Sequence, residues 1–412
     1  MVVAPATAPS GAPSLGRTVG VLSIAQVVGG LGNGAGLTVG ALLVKDISGS
    51  SAWAGMATVM LTLGAAAVTV PLASYAANHG RRPALTLGWL GGTIGAATCV
   101  AAAVADSLPL VLLGLVLFGS ATAANLQSRF AAADVATPAQ VGRALSVVVW
   151  STTLGAVIGP NLTDPGAAVA RAVGVPDLAG PMLFAAVGFG VAGALMFALL
   201  RPDPLAGSLG GERKRGGIRQ ALPHVTGPAA LAIYSIATAH AVMVAVMSLT
   251  PVHLQDHGAA LRIIGLTISL HIAGMFALSP VMGWLADRAG SRATIVIGQL
   301  LLIAAVFIGG TAGDHAHGQV MVGLTLLGIG WSASVIAGAA LLTRSIDPAV
   351  RTLVQGVSDM AMSLAGAFGG LLAGLVIAWF GYAVLNAAAG ALAVPVIILI
   401  LLGRTKAPAA AF

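Results

Sequence analysis

Gly283-Trp284-Leu285-Ala286-Asp287-Arg288-Ala289-Gly290-Ser291-Arg292 is a compact charged turn wedged between two apolar runs, about 259–285 and 293–312. Each run is long enough to cross a bilayer, which takes about 20 apolar residues in a helix. The glycines permit a tight turn. Asp287, Arg288 and Arg292 then sit where lipid headgroups and helix ends meet. A charged hairpin pinched between apolar runs of this length marks a chain that threads a membrane more than once.

The remaining sequence agrees. The 412 residues are 58% hydrophobic and only 8% charged, with a mean hydropathy of +0.98. A water-soluble globule carries roughly a quarter charged residues, so that class is excluded. Twelve apolar runs are countable, at about 18–44, 52–76, 84–105, 109–136, 143–163, 181–200, 228–252, 259–285, 293–312, 319–343, 351–380 and 382–402. They are continuous Ala, Leu, Val and Gly rather than the short alternating strands of a transmembrane barrel. The expected fold is therefore an all-α integral membrane protein. Cys99 is alone, which leaves no intrachain disulfide framework and no cysteine metal cluster.

Basic residues set the orientation, because Lys and Arg accumulate in cytoplasmic loops. With a cytoplasmic amino terminus, fifteen of the nineteen fall inside: Arg17, Arg81, Arg82, Arg143, Arg201, Arg213, Lys214, Arg215, Arg219, Arg288, Arg292, Arg344, Arg351, Arg404 and Lys406. Lys45, Arg171 and Arg262 fall outside, and Arg129 lies within a span. The net charge of +7 thus reports topology. Basic residues scattered among turns, not gathered on one face, give no nucleic-acid surface. Residues 1–16 lack a basic n-region, and 1–17 read as a disordered cytoplasmic tail, not a signal peptide.

The connection 201–227, with Arg-Pro-Asp-Pro, several glycines and Glu212-Arg213-Lys214-Arg215, reads as a linker. It separates bundles at 18–200 and 228–402, with a short cytoplasmic tail at 403–412. The halves repeat. Gly80, Arg82 and Gly88 meet Gly290, Arg292 and Gly298 at an offset of 210, while Asp106 meets Asp314 and Arg143 meets Arg351 at 208.

The charged turn resembles the signature loop G-x-L-x-D-R-x-G-R/K of major facilitator superfamily transporters, and the repeat extends that resemblance over nearly the whole chain. The resemblance implies two pseudo-symmetric six-helix bundles, with spans one, four, seven and ten lining a central cavity. It also implies that Asp287 caps a helix of the opposite half, favoured there by free amides and the helix dipole. Arg82 is expected to pair with Asp134 at the same surface, as a partly solvated bridge contributing about 1 kcal/mol or less. The first-half loop departs from the pattern: Ala73, Ala77 and Asn78 fill the slots of Gly283, Asp287 and Arg288. Most of the lock should then fall to the second copy. Span five carries Gly155-x-x-x-Gly159-Pro160, which resembles a motif of proton-coupled exporters, although glycines at this spacing also serve simple helix packing, as at Gly32, Gly36 and Gly40. The arginine such exporters carry early in span four is missing.

Ionisable groups among lipid tails are functional candidates. Arg129 shares a helical face with Asn125 and could hold an anionic substrate group; the alternative is snorkelling, or pairing with Asp134. Asp359, inside span eleven, is the first candidate for proton coupling, because an acid whose surroundings alternate between an arginine and an apolar setting can bind and release a proton. A static pair with Arg351 or Arg129 is the competing reading. His240 and His271 titrate near neutrality when unperturbed, but a lone histidine on an apolar helix is more often simply hydrogen-bonded. Gln26, Asn33, Tyr234, Thr238, Trp331 and Ser334 complete the expected cavity lining. His253, Asp256 and His257, and Asp314, His315 and His317, lie in outer loops and are not taken as a metal site.

The resemblance implies a secondary active transporter in the cell membrane, moving a small organic solute outward in exchange for protons; proton-coupled uptake of a nutrient or metabolite anion is the alternative. No cofactor is expected, and a monomer is. A membrane enzyme finds little support without an HExxH, paired cysteines or a Gly-rich phosphate loop, and a non-transporting receptor would need the same scaffold.

Overall fold

The computed structural model describes residues 13–49, 51–206, 217–313 and 315–404. The ends of both tails, the Glu212-Arg213-Lys214-Arg215 run and Asp314 lie outside the described residues, as does the pairing of Asp106 with Asp314 in the repeat.

Ten described helices are long and apolar enough to cross a membrane. One of them, Pro348–Arg404, breaks at Gly381 (φ 81°, ψ 176°) and forms spans eleven (348–380) and twelve (382–404). The shorter Val141–Ile158 is span five and completes the twelve. Spans one to four are Leu15–Ser48, Ser51–His79, Arg81–Ala105 and Leu108–Ala133. Span six is Gly180–Leu199, span seven Gly227–Asp256, span nine Ser291–Gly310 and span ten His317–Ser345. Span eight is interrupted, running as Leu261–Phe276 and Ser279–Arg288. Pro280 opens the second piece, where its missing N–H costs nothing.

The repeat is built into the backbone. Gly80 and Gly290, which precede spans three and nine, both have strongly positive φ, 100° and 90°, a conformation that side chains disfavour. Gly88 of span three lies against Ala124 of span four, and Gly298 of span nine against Ser334 of span ten, so the same crossing recurs at the offset of 210. Each half has its own apolar core. Glycines on span one receive the large side chains of the first: Gly29 takes Trp89, Gly32 takes Phe189 and Gly36 takes Phe118.

Two seams join the halves. Span two packs on span eleven, and span five on span eight. Near the ends that carry the Gly80 and Gly290 turns, a shared apolar layer contains Ala77, Phe130 and Leu145 of the first half with Ile233, Leu342 and Leu353 of the second. This end, called the basic face below, is closed.

Gly155 serves a crossing of spans one and five. A Cβ there would collide with the carbonyl carbon of Gly30. The α-helix of span five ends at Ile158, and Gly159–Leu162 continues as a 3-10 turn before the helix Thr163–Val173. The Gly-Pro motif therefore both packs and tightens the helix. Gly155→Val is expected to lower stability by about 1–3 kcal/mol through overpacking, read as a lower melting temperature in detergent. Gly190→Ala, whose Cβ would meet nothing nearer than 3.8 Å, is the control expected to melt like the wild type.

Candidate functional site

The first turn of span five has no side-chain cap of its own, and its free amides require acceptors. Asp287 supplies them from the other half. Its Oδ1 accepts from Gly142 N at 2.8 Å and its Oδ2 from Arg143 N at 2.9 Å. The approach depends on small residues, since a Cβ on Gly142 would lie 2.5 Å from the Gly283 carbonyl oxygen, and one on Gly283 would collide with that of Gly142. Arg344, at the end of span ten, pairs with Asp287 and donates to Ser291 Oγ at 2.9 Å and to the Pro138 carbonyl at 3.1 Å. Ser279 Oγ reaches the Ser146 carbonyl at 3.1 Å across the same seam. Arg288 lies over the Trp284 ring, 5.5 Å from its centroid, and takes no part in the cap.

At the other seam, the expected partner of Asp134 needs correction. Arg81, not Arg82, pairs with it, Nε to Oδ2 at 2.7 Å, with both side chains almost fully buried. Span three begins at Arg81, which turns inward. Arg82, one residue and about 100° further round the helix, places its guanidinium over Phe197 at 4.9 Å. Arg81 also donates through Nη2 to Gln355 of span eleven, joining the halves. Asp203, just after span six, accepts from the amides of Arg81 and Arg82 at 3.1 and 2.8 Å. The slots that lost their glycine and acid are filled by packing: Ala73 lies against Gly356 of span eleven, and Ala77 joins the shared apolar layer.

Burial changes the energetics from those of a solvated bridge. Removing one partner of a buried pair costs about 3–5 kcal/mol, because the other charge is stranded. Asp134→Asn is therefore expected to melt well below the wild type. Loss of only about 1 kcal/mol, the level of a surface pair, would contradict this.

Further in, span four brings Arg129 to Asp359 of span eleven. Nη2 and Oδ1 are 2.6 Å apart, and both side chains are buried. Arg129 Nη2 also lies 4.0 Å from Met362 Sδ, and the guanidinium is 5.0 Å from the Phe130 centroid. Arg129 Nε and Asp359 Oδ2 are buried with no hydrogen-bond partner among the described residues. The pair thus joins the halves and keeps one free donor and one free acceptor.

His240 accepts from Trp331 Nε1–H at Nδ1, 3.0 Å, which places a neutral ring's proton on Nε2, near Gly366 of span eleven. Trp331 also meets Phe276 edge-on at 5.7 Å. His271 Nδ1 donates to the Leu324 carbonyl at 2.7 Å, so this histidine faces span ten within its own half. Gln26 donates to the Asn125 carbonyl at 3.1 Å, and Thr122 donates to Asn33 Oδ1 at 3.4 Å, along the seam of spans one and four. Thr238 is buried. Two expected cavity residues point elsewhere. Ser334 Oγ accepts from Gln299 of span nine at 3.1 Å, and Tyr234 is 40% exposed in a groove beside Arg292 and Leu399. At the opposite end, His253 stacks on Tyr382 at 3.9 Å and His257 Nδ1 bonds back to the His253 carbonyl.

Arg81, Asp203, Arg344 and Gln355 were not singled out by the sequence reading. Arg344 had a usable signal, for it lies at the repeat offset of 210 from Asp134, and both stand at the end of corresponding spans.

A family model of the Major Facilitator Superfamily matches residues 22–270 and 253–412, and the chain belongs to that superfamily. YddS, an uncharacterized MFS-type transporter of Bacillus subtilis, is 36% identical over 394 residues, 93% of this chain and 90% of its own. The riboflavin transporter RfnT of Brucella anthropi is 29% identical over 378 residues, 90% of this chain and 91% of its own. Among solved structures, the human organic anion transporter MFSD10 aligns with a TM-score of 0.75 at 18% identity, covering 94% of this chain and 100% of that one. The proton:xylose symporter XylE aligns at 0.74 and 16%, covering 96% and 97%. These likenesses show the fold. The family and fold are those of multi-pass membrane transporters rather than of enzymes.

Proposed function

We propose that the chain exports a small organic solute in exchange for protons, by rocking of the bundles 18–200 and 228–402 about a central site. In this reading the basic face is cytoplasmic, both termini lie on that side of the cell membrane, and a monomer suffices. The observation that carries it is the buried pair of Arg129 and Asp359, which bridges the halves while the basic face is shut. Opening that face pulls the pair apart, so the protonation of Asp359 is tied to the conformational state. Gly155, Gly159 and Pro160 support the outward direction by their resemblance to exporters.

A second reading, proton-coupled uptake of a metabolite anion, draws on the unpartnered Nε of Arg129, a donor suited to an anionic group. RfnT adds riboflavin to the candidate solutes.

The test is flux in proteoliposomes across compound classes, beginning with riboflavin and organic anions, with and without a pH gradient. Movement of at least one solute against its gradient, driven by protons, is expected, and its direction separates the two readings. Flux indifferent to the pH gradient for every transported compound would remove proton coupling.

A further inference from the structure

At the basic face, a groove of about 470 Å³ lies between the start of span seven, the start of span nine and the end of span twelve. Its walls include Gly227, Leu231, Tyr234, Leu399 and Ile400, and the one charged residue in its lining is Arg292. The volume is that of a small-molecule site, and no carboxylate contributes to the lining.

Arg292 differs from its neighbours. Arg81 and Arg344 are paired with acids, Arg82 and Arg288 lie over aromatic rings, and Arg351 donates to the Ile346 carbonyl. Arg143 and Arg219 are exposed. Arg292 is half-buried and, among the described residues, has no acid, carbonyl or ring as a partner. It stands in the first turn of span nine. Tyr234 lies further along span seven, about 10 Å from its start at 1.5 Å per residue, with Leu231 and Leu399 forming an apolar wall. A cation at the surface above an apolar channel matches the build of an anionic phospholipid, and basic pockets between helices attract such headgroups. Arginine suits a phosphodiester because it presents two parallel donors.

We propose that this groove binds one anionic phospholipid of the leaflet at the basic face, with its phosphate on Arg292 and an acyl chain along Leu231, Tyr234 and Leu399. The occupied site would hold the turn 288–292 against span seven. This inference does not depend on the transported solute or on proton coupling.

The test is native mass spectrometry of the full chain titrated with phosphatidylglycerol, phosphatidylcholine or inorganic phosphate. A first phosphatidylglycerol adduct that phosphatidylcholine does not match is expected, weakened about fivefold in Arg292→Gln, the effect of one arginine near a lipid surface. Leu399→Trp, which fills the groove and keeps the charge, is expected to lose the same adduct, while Arg288→Gln binds as the wild type does. Equal phosphatidylglycerol binding by the wild type, Arg292→Gln and Leu399→Trp would overturn the proposal. An equal loss in Arg288→Gln would make the attraction diffuse surface charge, and displacement of the lipid by inorganic phosphate would make the groove a free-anion site; either result also overturns it.

Discussion

Asp359→Asn, reconstituted in proteoliposomes, is expected to abolish solute accumulation driven by a pH gradient while preserving exchange of solute between the two sides. The amide keeps the shape of the side chain but carries neither the charge that pairs with Arg129 at 2.6 Å nor a titratable proton. Exchange needs only the conformational change in the loaded protein, so it survives and also shows that the variant folds. Arg129→Ala should instead weaken solute binding, most of all for anions. It also strands Asp359 without its partner, a loss of about 3–5 kcal/mol typical of broken buried pairs. Full gradient-driven flux in Asp359→Asn would place the coupling elsewhere. His240 would be the next candidate, although proton uptake at its Nδ1 would require breaking the bond from Trp331.

The second large effect is expected at the lock. Asp287 accepts two amide hydrogens of span five and pairs with Arg344, with only 5% of its side chain exposed. Hydrogen bonds to a charged acceptor contribute about 1.5–3 kcal/mol. Asp287→Asn loses the charge and one acceptor, so closure of the basic face should weaken by at least roughly tenfold, at 1.4 kcal/mol per decade. Spin-label distances across that face should move toward the open population. Arg344→Gln should move them the same way by a smaller amount, since Arg344 is partly exposed and the Asp287 carboxylate still accepts from the Gly142 and Arg143 amides. Populations unchanged in Asp287→Asn would remove the carboxylate from the lock.

Much of this arrangement is legible in the sequence. The turn 283–292, the apolar runs and the offset of 210 require two related bundles, and that same offset places Gly80 beside Gly290 in backbone conformation and Gly88–Ala124 beside Gly298–Ser334 in packing. Asp287 was legible because the loop pattern marks a helix cap. The choice between Arg81 and Arg82 was not, because adjacent arginines differ by about 100° around a helix, and only the exact start of span three decides which one turns inward. The surroundings of Tyr234 and Ser334 were not legible for a related reason. Span seven and span ten are apolar around most of their circumference, so hydrophobic periodicity gives little indication of which side faces the cavity. Asp203 was hidden further, in a connection whose composition marked only a linker.

The central claim is that proton binding at Asp359 and opening of the basic face are one event. Spin labels at Ala139→Cys and Ser345→Cys, in a Cys99→Ser background, report it directly. Both sites are exposed and flank the contact of Arg344 with Pro138. Changing pH is expected to redistribute the wild-type protein between a short and a long distance, and to leave the distribution in Asp359→Asn unmoved. A pH response of the same size in Asp359→Asn would contradict the claim.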